Sequence, residues 1–135
     1  MTAKLNWLGI IVATVVAFFV GFLWYGILFE ARWIELTGVT GEGGDPIWML
    51  VGLVQTFITM LGLGWFIARD GAVGWMAGLK IGLIAGVAFA LMTSAYGFIY
   101  QTSPMGLLPI DWSHLLVVYA VGGALIGGLR MKPKA

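Results

Sequence analysis

Four long apolar runs, separated by short polar or glycine-rich breaks, divide the chain: Leu5 to Phe29, Ile47 to Ala68, Trp75 to Ile99 and Trp112 to Leu129. Each is close to or above the about 20 residues that a helix needs to cross the hydrocarbon core of a bilayer. The runs are continuous and do not alternate with polar positions, which argues against the strands of a membrane barrel. The pattern predicts an all-α membrane protein, a four-transmembrane-helix bundle forming one integral domain over residues 1–135. Only Arg69-Asp70-Gly71-Ala72-Val73-Gly74 separates the second run from the third, so these two form an antiparallel hairpin.

The breaks have their own reading. The first run exceeds the roughly 7–15 apolar residues of a secretory signal, and the bulky, charged Phe29-Glu30-Ala31-Arg32-Trp33 after it offers no small-residue cleavage site, so it reads as a retained span. Phe29, Trp33 and Leu36 share one face of a short helix expected to continue the first span or lie on the membrane surface. The glycine-rich stretch from Gly38 to Pro46 reads as a mobile loop. Between Gln101 and Asp111, Pro104, Gly106 and Pro109 break an otherwise apolar loop that is expected to fold back onto the surface, with Asp111 or Ser113 capping the last helix.

Composition removes most other classes. Hydrophobic residues make up 61% and charged residues 10%, against about 25% charged in soluble domains, and the mean hydropathy is +1.00. A net charge of +1 is too small for nucleic-acid binding. With no cysteine and a single histidine, His114, disulfides, thiolate sites and His-rich metal clusters are excluded, and no metal or cofactor is expected. Lys4, Arg69, Lys80, Arg130, Lys132 and Lys134 fall on one side of a four-span chain and only Arg32 on the other. This asymmetry predicts a multi-pass protein of the bacterial cytoplasmic (inner) membrane with both termini cytoplasmic. Lys80, inside the third run, is expected to snorkel to the headgroups. Trp7 and Trp75 on one side, with Trp24, Tyr25, Trp33, Trp48, Tyr96, Tyr100 and Trp112 on the other, read as interfacial anchors.

Because lipid is as apolar as leucine, membrane helices meet where small residues let their backbones approach. Rows at four-residue spacing mark such faces: Gly9, Ala13, Ala17 and Gly21 in the first span; Gly78, Gly82, Gly86, Ala90 and Ser94 in the third; and Ala120, Ala124 and Gly128, backed by Gly123 and Gly127, in the fourth. They predict a tight bundle, with membrane lipids and either a second copy or a larger membrane complex as partners. The second span instead carries Gln55, Thr56 and Thr59. An amide in hydrocarbon requires a partner, so Gln55 with Thr59 on the same face either makes an interhelical hydrogen bond or faces a small-molecule or lipid pocket. Ser94, Tyr96 and His114 complete the set of candidate polar or ligand-facing residues, His114 being expected as a hydrogen-bonded anchor near the interface.

The opening Leu5-Asn6-Trp7, the word Gly21-Phe22-Leu23-Trp24-Tyr25 and the segment ending Leu36-Thr37-Gly38 resemble a family of small bacterial four-span membrane proteins, domain of unknown function number seventeen-sixty-one. The resemblance covers nearly the whole chain. It implies the same four-helix architecture and neither an activity nor functional residues. A fainter internal echo joins Tyr25-Gly26-Ile27-Leu28-Phe29-Glu30 to Tyr96-Gly97-Phe98-Ile99-Tyr100-Gln101, as two hairpins related by an axis along the membrane normal would.

No cysteine, HExxH or GxSxG word is present to supply a nucleophile or metal site, so the chain is not expected to be an enzyme. The leading expectation is a non-enzymatic accessory, assembly or interaction component acting through its helix faces. The alternative is a small homo-oligomeric transporter or channel for a small solute. Against it, no acidic residue is expected inside a span, and proton-coupled carriers generally place one there.

Overall fold

Asn6 opens the first helix by accepting a hydrogen bond from the Gly9 amide through Oδ1 at 3.1 Å. The computed structural model describes residues 4–39 and 45–130. The glycine run at 41–44, Lys132 and Lys134 lie outside the described residues. Helix α1 runs Trp7–Leu23 and widens into a π turn over Trp24–Leu28, closed by Phe29 N–H on the Trp24 carbonyl at 2.9 Å. At Phe29 the backbone leaves helical geometry, and α2 follows over Glu30–Thr37. Its terminus is a left-handed glycine: Gly38, at φ 70°, returns its N–H to Ile34.

Helix α3 spans Ile47–Asp70. It ends in a Schellman motif, with Gly71 N–H on the Ala68 carbonyl and Ala72 N–H on Ile67. Helix α4 covers Trp75–Ala85, a second π turn covers Gly86–Leu91, and α5 continues over Met92–Tyr100. Helix α6 is Leu107–Gly128. Four helical stretches are thus long and apolar enough to cross a membrane: Trp7–Leu28, Ile47–Asp70, Trp75–Tyr100 and Leu107–Gly128. The expected short helix after the first span is α2.

The fourth span begins five residues earlier than the apolar pattern suggests. Pro109 is the third residue of α6, where a backbone N–H has no intrahelical acceptor, so the ring removes no hydrogen bond. Two expectations are thereby corrected. Asp111 and Ser113 lie within α6 and do not cap it, the N-cap being Gly106. Asp111 also places an acidic side chain inside a membrane-crossing helix.

The helices are clamped together at the end that carries Asn6, Arg130 and the Gly71–Gly74 turn, here called the near end. The glycine row of α4 lies directly on the α6 backbone. A Cβ added to Gly78 would overlap the Gly123 carbonyl, and one added to Gly82 would overlap that of Tyr119. Gly74, at φ 106°, donates its N–H to the Gly127 carbonyl at 2.9 Å. The first-span row faces the other side of α6: Gly9 meets the Ile126 Cα, and Ala13 and Ala17 are buried. Ile10, Met60, Ile67 and Ile126 are fully enclosed between these helices.

Polar groups tie the same end. Asn6 Nδ2 donates to the Ile126 carbonyl at 2.8 Å. The Arg130 guanidinium donates to the Ile67 and Ala72 carbonyls at 3.2 and 2.8 Å, bridging the last turn of α3 and the turn that follows it. Lys80 is exposed on α4, and Arg69 lies 5.7 Å from the Trp65 ring centre.

Toward the far end the bundle opens. The row in the third helix ends its close contact at Gly86, which meets Tyr119 Cβ; Ala90 and Ser94 are only half-buried, and no residue of α5 is buried. On α6 the row that meets α4 is Tyr119, Gly123 and Gly127, one position away from the expected Ala120, Ala124 and Gly128. Ala120 and Ala124 are half-buried and Gly128 is exposed against Trp75. Both rows have the same spacing, and Tyr119 joins the contact row through its backbone and Cβ.

Candidate functional site

The far end is held by a pair of side-chain hydrogen bonds between α1 and α6. Tyr25 Oη donates to Asp111 Oδ1 at 2.6 Å, and Trp24 Nε1 donates to Ser113 Oγ at 3.0 Å. Ser113 in turn donates to the Ile110 carbonyl at 3.0 Å, so its hydroxyl is used in both directions. Trp24 and Tyr25 lie in the π turn, whose extra residue per turn widens the helix and lets two consecutive side chains reach the same neighbour. Trp33 of α2 packs its ring 5.7 Å from that of Tyr25, and Leu36 rests against Gly106 before α6. The only salt bridge among the described residues, Arg32 to Glu35 at 2.9 Å, lies exposed on α2.

His114 sits directly beneath this clasp. Its ring makes an edge contact with Tyr25 at 5.0 Å and a tilted one with Trp24 at 6.4 Å. Gly21 lies against the imidazole, and a Cβ there would stand in van der Waals contact 3.4 Å from Nε2. In the Gly21-Phe22-Leu23-Trp24-Tyr25 word, the two aromatics at its end grip the start of α6 and the glycine lies against His114. His114 Nε2 is buried and has no hydrogen-bond partner among the described residues, and the same holds for Trp112 Nε1. The hydrogen bond expected to anchor His114 is thus not made through Nε2.

Below His114 a groove of about 460 Å³ opens laterally between α1, α3 and α6. Its apolar wall includes Phe18 and Phe22 of α1, Met49 and Met60 of α3, and Leu115 and Val118 of α6. Its polar wall is Gln55, Thr56 and Thr59 of α3 facing the side that carries His114 and Tyr119. No charged residue lines it. The two threonine hydroxyls are satisfied along their own helix, Thr56 by the Gly52 carbonyl at 2.8 Å and Thr59 by that of Gln55 at 3.0 Å. Gln55 is exposed, and its amide makes no hydrogen bond to another helix among the described residues, so the interhelical bond considered for it is not formed there. At this level the Phe18 ring of α1 reaches toward Gly52 of α3, where an added Cβ would touch it at 3.9 Å.

The structure thus brings Gln55, Thr59 and His114 to one groove and leaves Ser94 and Tyr96 elsewhere. Ser94 is half-buried on α5 and donates to the Leu91 carbonyl at 2.9 Å. Tyr96 is 60% exposed, 5.8 Å from Tyr100. Tyr25 and Tyr96, which head the two similar words, therefore have unlike surroundings. Among the described residues no three His, Asp or Glu side chains gather closely enough to hold a metal ion.

The family described as a protein of unknown function, DUF1761, matches residues 8–127, and the chain belongs to it. No curated protein and no solved structure matches the chain. The match runs from the first turn of α1 to the end of α6, so it takes in the near-end packing, the aromatic clasp and the groove.

Proposed function

We propose that this DUF1761 member is a non-enzymatic component of the bacterial cytoplasmic membrane, with both termini cytoplasmic, that works by lateral association, as a homo-oligomer or as a subunit of a larger membrane complex. The observation that carries this reading is the separation of α5 from the bundle. The small-residue rows of α1 and α4 are spent on α6 of the same chain, whereas α5 buries none of its residues and presents Met92, Tyr96, Ile99 and Tyr100 outward. The far end of α3, from Ile47 to Val51, is similarly open. Association in lipid depends on shape and hydrogen bonding, and a helix half that carries Thr93, Ser94 and two tyrosines supplies both.

Solute transport through one chain has less support. The polar lining of the groove stops at Met60, and the near end below it is filled by Ile10, Ile67 and Ile126 and by backbone contact between α4 and α6.

The absence of native cysteine makes the test clean. Met92→Cys, Tyr96→Cys and Ile99→Cys variants, each carrying a photoreactive maleimide, should cross-link to a protein neighbour in native membranes. Val15→Cys, 61% exposed on α1, should not. Gentle extraction should yield a particle heavier than one chain. A single-chain mass together with no cross-link from any α5 position refutes the reading.

A further inference from the structure

The groove is lined by the Gln55 amide, which is exposed and makes no hydrogen bond to another helix among the described residues, and by His114 Nε2, which is buried with no hydrogen-bond partner there. Gln55 follows the start of α3 by eight residues and His114 follows that of α6 by seven. At about 1.5 Å per residue, both lie roughly 10–12 Å inside the far helix ends. They are therefore within the hydrocarbon layer, whose half-thickness is about 15 Å, where an unpaired polar group is costly.

We propose that this groove binds a neutral, lipid-soluble molecule that carries carbonyl oxygens on a flat ring, the chemistry of a membrane quinone. The amide of Gln55 donates to one carbonyl and His114 Nε2, in its N–H tautomer, to another, while the ring lies among Phe18, Phe22 and Met60. Three features select this class. The wall has no charged side chain, so an anionic or cationic ligand would arrive without a counter-charge, and a phospholipid headgroup would have to leave the interface to reach this depth. A saturated acyl chain fits the apolar wall but leaves both polar groups unpaired. The recess of about 460 Å³ falls within the size range of small-molecule sites. Aromatic edges and a methionine thioether suit a flat ring. The inference concerns binding alone and includes no electron transfer.

The test is equilibrium binding of a short-tailed benzoquinone to the purified full-length chain in detergent micelles, with a saturated fatty acid and phosphatidylglycerol as competitors. Saturable binding of one molecule per chain is expected, resisting both competitors. Because each variant removes one hydrogen bond to the ring, Gln55→Leu and His114→Phe should each weaken binding about tenfold, and Tyr96→Phe should leave it unchanged. Gln55 is exposed and makes no hydrogen bond to another helix among the described residues, so Gln55→Leu keeps the test decisive even where His114→Phe disturbs the clasp. Unsaturable partitioning that is equal in wild type and Gln55→Leu overturns the proposal, as does displacement by the saturated fatty acid. The cross-linking test on α5 does not touch the groove, so either conclusion can fail alone.

Discussion

Gly82→Ala adds one methyl group at the tightest crossing in the molecule. The new Cβ would overlap the Tyr119 carbonyl oxygen, lie 3.0 Å from the Tyr119 carbonyl carbon and lie 3.3 Å from Gly123 Cα. All three are backbone atoms, so no side chain can swing aside and the helices must separate. A gap of about 0.5–1 Å already forfeits a quarter to a half of each dispersion contact along the crossing. In lipid no gain in hydrophobic burial offsets that loss. Overpacking of this kind costs about 1–3 kcal/mol, or roughly a fivefold to hundredfold loss in the folding equilibrium. Gly62→Ala is the matched control, because nothing lies within 4 Å of a Cβ added there. Reversible unfolding in mixed micelles, titrated with a denaturing detergent, would measure both variants. Gly82→Ala should unfold well before wild type and Gly62→Ala alongside it. Equal stability for the two variants would falsify the claim that backbone contact between α4 and α6 holds the near end.

Tyr25→Phe deletes the donor to Asp111 and leaves the carboxylate short of a partner in apolar surroundings, a loss of about 1.5–3 kcal/mol in the same titration. Tyr25→Phe combined with Asp111→Leu should recover much of it, and an unaltered Tyr25→Phe midpoint would show that the clasp does not bear on stability. A reporter enzyme fused after Ala135 should be active on the cytoplasmic side; activity in the periplasm would invert the orientation drawn from the basic residues.

The long-range features were the hardest to see in advance. Hydropathy locates the four crossings because the cost of polar residues in hydrocarbon leaves an unmistakable apolar run. The fourth boundary was displaced because Pro104, Gly106 and Pro109 are read as breakers, whereas a proline in a first helical turn displaces no hydrogen bond. Four-residue spacing identified the contact faces of α1 and α4. On α6, two adjacent rows with the same spacing compete, and periodicity does not say which one faces which neighbour. Tyr25 and Asp111 stand 86 positions apart, with no local pattern to link them. Arg130 reads in the sequence only as a positive charge, although its guanidinium closes the end of α3. Gln55 was legible as an anomaly, an amide within an apolar run, but not its neighbour across the groove.

The distribution of contacts around α6 has a consequence for biogenesis. The first and third helices both rest chiefly on α6, and its residues supply the carbonyls that Asn6 and Gly74 engage. During synthesis α6 leaves the ribosome after the helices that rest on it, and is thus the keystone for them. Until it arrives, the earlier spans expose glycine seams to lipid and carry polar groups without acceptors. The nascent chain must be shielded until α6 emerges, and loss of α6 would leave an unassembled product for membrane proteases to clear.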